Sequence, residues 1–65
     1  MNNKKENFIR MDDVVKLTGF TRNYLYQLVH DKKIPHYKPT ARTLFFRESE
    51  ITDWIESCKI KADYE

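Results

Sequence analysis

The chain has 65 residues, of which 34% are charged, 40% apolar and 14% aromatic. A chain this short buries only about 60% of the surface its unfolded form exposes, so it has room for one small core and none for a large enzyme fold. The formal net charge of +2 conceals an asymmetry of +6 over residues 1–47 and −4 over residues 48–65, the pattern of one polyanion-facing side and one solvated side.

Residues 1–7 are polar and aperiodic and read as a disordered tail ahead of a single domain over 8–61, with 62–65 frayed. No apolar run approaches the ~18 residues of a membrane span, and the polar start has no signal-peptide core. The lone Cys58 cannot form an internal disulfide. Together these point to a cytoplasmic protein.

From Met11 the apolar residues follow a helical period: Met11, Val14, Val15 and Thr18. Asp12 and Asp13 sit in the first turn, where carboxylates suit the positive end of the helix dipole. Gly19, the only glycine, stands where a left-handed stop belongs. The first helix is expected over 11–18. Thr21 is a good N-cap for a second helix, over 21–31, with Phe20 closing on Leu25 as a hydrophobic staple. Leu25, Leu28 and Val29 form its core face. Lys32 and Lys33 lie near its negative end, and Pro35 stops further helix.

The period then shortens. His36–Pro39 and Thr43–Arg47 read as two strands joined by a turn over 39–42, a hairpin over 36–47. Leu44 and Phe46 share one face; Phe45 points the other way, to pack under the hairpin or to meet a partner. A third helix is expected over 48–61, with Ile51, Trp54, Ile55 and Cys58 as its buried stripe.

Two short helices joined by Gly-Phe-Thr form a helix-turn-helix, and the hairpin makes a wing. The fold class is therefore mainly α with a small β-hairpin, a winged helix-turn-helix. Opposite the core face of the second helix lie Asn23, Tyr26, Gln27 and His30, with Tyr24 on the flank and Arg22 in the first turn. The first turn of such a helix enters the major groove first. Arg pairs with guanine and Asn or Gln with adenine, while Tyr hydroxyls suit phosphates. The wing carries Lys38, Thr40, Arg42 and Thr43, a basic tip able to reach a neighbouring groove or phosphate run. Lys32 and Lys33 are expected as phosphate anchors.

Catalytic chemistry finds no support. His30, His36 and Cys58 lack metal-ligand spacing, one glycine cannot build a phosphate loop, and Ser49 and Ser57 have no base near them in sequence. No enzyme activity, metal, cofactor, membrane or small-molecule substrate is expected.

The run MDDVVKLTGFTRNYLYQLV from Met11 to Val29, the closing Lys33-Ile34-Pro35, and Leu44-Phe45-Phe46-Arg47-Glu48-Ser49-Glu50-Ile51 followed by Trp54-Ile55 resemble the excisionase-type, MerR-like winged-helix family. The resemblance covers about Phe8 to Ile60. It implies a small protein of a mobile element that binds and bends double-stranded DNA, alongside a tyrosine integrase and further copies of itself, during excision. Other members regulate transcription, and a winged helix can also serve as a protein-interaction module through an acidic last helix and Phe45. By resemblance the recognition helix carries Arg22, Asn23, Tyr24, Tyr26, Gln27 and His30, and the wing Lys38, Thr40, Arg42 and Thr43. Phe20, Leu25, Leu28, Ile34, Phe46, Ile51 and Trp54 match structural positions. The family often has Gly where Lys32 stands and near Thr40. Neither is present, so the exit of the second helix and the wing turn are expected to differ in shape.

Overall fold

The computed structural model describes residues 7–63. All of the expected N-terminal tail except Asn7, and the last two residues of the expected frayed end, lie outside that range. The order is α1 (Met11–Thr18), α2 (Arg22–His30), β1 (Tyr37–Thr40), β2 (Thr43–Phe45) and α3 (Glu48–Glu56). This is the winged helix-turn-helix arrangement read from the sequence.

The starts of α1 and α2 have local causes. Asp13, three residues into α1, accepts the backbone N–H of Arg10 at 3.2 Å. Arg10 has no acceptor with which to return a bond, so the cap is one-sided. The Thr21 hydroxyl accepts the N–H of Tyr24 at 3.1 Å, the N-cap expected for α2. Gly19 takes φ 80, the left-handed value that ends α1 and turns the chain toward α2.

The exit of α2 departs from expectation. Lys32 adopts φ 59 although it is not glycine. Its N–H donates to the Val29 carbonyl at 3.0 Å, and that of Lys33 to Leu28 at 2.8 Å. This bond pair is a complete Schellman motif with Lys32 at the left-handed position. The missing glycine has not changed the shape of the exit; Lys32 takes up the strained conformation itself.

The core consists of Met11, Val14, Leu25, Leu28, Ile34, Phe46 and Ile51. Every helix and the base of the wing contribute to it. Phe46, Leu25, Ile51 and Val14 are wholly excluded from solvent. Phe20 is not a core residue; it remains partly exposed. Leu25 is wholly buried, and the Phe20 ring meets Tyr24 edge-on at 5.0 Å.

β1 and β2 pair antiparallel, Tyr37 opposite Phe45 and Thr40 opposite Thr43. Three steps along β1 thus match two along β2, a bulge in the stretch that contains Pro39, which has no N–H to give. β1 lies one residue later than expected, while β2 begins at the expected Thr43 and ends at Phe45, two residues short of Arg47, so the turn is Ala41–Arg42. Neither turn residue has positive φ, so the turn is not one of the primed hairpin types. The Thr40 hydroxyl accepts the Arg42 N–H at 3.2 Å and donates to the Thr43 hydroxyl at 2.9 Å, closing the turn with side chains. Behind β2, Ile9 exchanges two backbone hydrogen bonds with Phe46, at 2.8 and 2.9 Å.

Phe45 has a definite place. Its ring lies 5.5 Å from Phe8 with the Arg10 guanidinium 5.2 Å above it, and Phe8 in turn meets Tyr37 at 5.2 Å. The Tyr37 hydroxyl donates to Glu50 at 2.7 Å, tying the wing to α3 and raising the phenol above its ordinary ionisation range.

α3 ends at Glu56, five residues short of the expected Lys61. Its apolar stripe runs out of partners: Ile51 is buried, Trp54 half-buried, Ile55 exposed. Cys58, expected on the buried stripe, is exposed and past the helix. Without burial a further helical turn gains little. The chain tightens instead, with the Ser57 hydroxyl and Cys58 thiol both turned back to the Trp54 carbonyl.

Candidate nucleic-acid interface

A cleft of about 620 Å³ opens between α2 and the wing, with the start of α1 as its third wall. Arg22, Tyr26 and His30 enter it from α2, and Lys38, Arg42 and Thr43 from the wing. These six expected site residues are brought together by packing, since the strand pair folds back across the end of the helix. Helical spacing of four residues aligns Arg22, Tyr26 and His30 in one row. Arg10 and Asp12 complete the charged lining. Neither stood out in the sequence, because an N-terminal loop cation and a first-turn carboxylate have ordinary explanations.

The other expected residues lie outside this cleft. Asn23 is exposed in the first turn of α2, and Tyr24 sits on the flank against Phe20. Lys32 and Lys33 are exposed at the helix exit. The Thr40 hydroxyl is committed to the wing turn.

Two carboxylates organise the polar groups of α2. Asp12 accepts a hydrogen bond from Nη2 of Arg22, and both side chains remain more than half exposed. That bond, and then the charge of Asp12, raise the Arg22 guanidinium above its ordinary value. Asp31, at the C-terminal end, accepts the Gln27 amide at 3.3 Å and lies 3.4 Å from Nδ1 of His30. The Gln27 hydrogen bond first, and His30 second, hold Asp31 below the ordinary carboxylate range.

Among the described residues no group of His, Cys, Asp and Glu side chains could hold a metal ion. No helix among them is long and apolar enough to cross a membrane.

The family described as Prophage CP4-57 regulatory protein (AlpA) matches residues 7–59, nearly the whole described chain. The chain belongs to the AlpA family. The match spans all five elements, so the cleft is part of the AlpA-family domain rather than an addition to it. Membership places the chain among small phage-type DNA-binding regulatory proteins with a helix-turn-helix. No curated protein and no solved structure matches it.

Proposed function

We propose that this chain is a sequence-specific double-stranded DNA-binding protein of a mobile element, with α2 in the major groove and the wing on the adjoining backbone. The observation that carries this reading is the convergence of Arg22, Tyr26 and His30 with Lys38 and Arg42 on one cleft. A concave basic surface between a recognition helix and a hairpin suits the edge of a groove, where α2 side chains reach bases and the wing cations hold the flanking phosphates. In this reading Arg22, Asn23 and Gln27 address base edges. Tyr24, Tyr26 and His30 support the backbone. Lys32, Lys33, Lys38, Arg42 and the Thr40–Thr43 turn hold phosphates.

The finer role follows from the excisionase resemblance of the helix-turn-helix: an architectural accessory that assists a tyrosine integrase, with further copies on the DNA. The regulatory description of the family favours a second reading, control of transcription through the same contacts.

The test is fluorescence anisotropy with a duplex from the DNA flanking the gene and a scrambled duplex, each at several salt concentrations. About four to six phosphate contacts give a log–log salt slope of about −4 to −5. Preference for the flanking duplex together with that slope supports the reading; a slope near zero refutes it. An excision assay with a neighbouring integrase, set against a promoter reporter, then separates the two roles.

A further inference from the structure

Asp12 is the one carboxylate among the residues lining the cleft, whose other charged members are Arg10, Arg22, Lys38 and Arg42, with His30 beside them. On a surface meant for phosphates a free carboxylate is a liability. The start of α1 does not require it, because Asp13 alone takes the Arg10 N–H. What Asp12 does is bind Arg22, ten residues away across the helix-turn-helix.

We propose that Asp12 is a positioning residue for base recognition, which aims the Arg22 guanidinium at a guanine. The inference rests on the DNA-reading role proposed above. Arg carries five N–H donors on a rigid plane. The bond to Asp12 is made through Nη2 and does not use the other donors of the fork, on a side chain that is 53% exposed. A guanidinium free to rotate meets any nearby phosphate. One fixed in its plane matches the paired O6 and N7 acceptors of guanine.

Fixing the side chain before binding also removes rotamer entropy that would otherwise be lost on the DNA. Because Asp12 sits on α1, the aim of Arg22 is set by the packing of two helices rather than by α2 alone. The paired Asp12 also stops being a bare negative charge in the cleft, which accounts for its presence there.

The experiment is selection of bound sequences from a randomised duplex library, using the full chain, Asp12→Ala, Asp12→Asn, Arg22→Ala and the double variant Asp12→Ala/Arg22→Ala. Circular dichroism checks that each is folded. Asp12→Asn keeps the size of the side chain should the alanine variant not fold. In the wild-type consensus, preference at one guanine should fall about five- to tenfold on changing Asp12, and by at least as much on changing Arg22. The double variant should lose no more than Arg22→Ala. Affinity for a scrambled duplex should hold or rise in Asp12→Ala, since a negative charge has left the cleft.

Wild-type base preference in both Asp12 variants, with affinity for all duplexes rising together, overturns the proposal and leaves Asp12 as a simple repulsive charge. A wild-type chain that selects no consensus overturns the underlying DNA-reading role, and the positioning role with it.

Discussion

Lys32 offers a test of how the fold handles a missing glycine. At φ 59 it sits where a Cβ crowds the following carbonyl. The left-handed conformation costs an L-residue about 1–2 kcal/mol. Replacing Lys32 with Gly removes that strain but adds about 0.4–1 kcal/mol of freedom to the unfolded chain. The balance is a gain of about 0.5–1 kcal/mol, or about 3–6 °C in Tm for a domain of this size. Lys32→Ala is the control, since it loses the same charge and keeps the Cβ. Thermal melts by circular dichroism should show Lys32→Gly more stable than wild type and Lys32→Ala close to it. DNA titrations should show both variants weakened alike, because both lose the same cation. An unchanged or lower Tm for Lys32→Gly would refute the strain argument. An equal rise in both variants would assign the effect to charge instead.

The reciprocal change, Gly19→Ala, meets no steric clash, because nothing lies within 4 Å of the added Cβ. Its cost is backbone strain alone, about 1–2 kcal/mol, readable as a drop in Tm. Phe46→Ala empties the centre of the core and should cost about 3–5 kcal/mol, enough to leave much of so small a domain unfolded in a urea titration. Lys38→Ala and Arg42→Ala should each make the log–log salt slope of DNA binding shallower by about one. Gln27→Ala should relax base preference more than it alters that slope. In the free protein the same change should move the Asp31 carboxyl, followed by NMR titration, back up toward its ordinary range. Because the folded value of Asp31 is the lowered one, its stabilising contribution is complete above the ordinary carboxylate range. That contribution is lost as pH falls through the lowered value.

The features that sequence makes legible are those with local causes. Gly19, Thr21 and the spacing of Leu25 and Leu28 set the turn and α2, and the strand period at Leu44 and Phe46 sets the wing. Features that depend on distant partners stay hidden. α3 stops at Glu56 where Ile55 and Cys58 stay exposed, and periodicity does not reveal how well a stripe is covered. In the cleft, helical spacing aligns Arg22, Tyr26 and His30, but only the fold brings Lys38 and Arg42 opposite them. The engagement of Arg22 by Asp12 depends on how α1 and α2 cross, which charge counting along a chain does not show.

The Ile9–Phe46 bridge has a consequence for folding order. It joins a residue ahead of α1 to the base of the wing, so both helices of the helix-turn-helix lie inside a loop that this pair closes. Contacts that close long loops form late, after local helices and turns. During synthesis Ile9 emerges early and waits unpaired until the wing has followed it. The smallest fragment that keeps this bridge must therefore include both Ile9 and Phe46. A cut at the first residue of α1 would keep every helix and still leave the base of the wing without its bridge to Ile9.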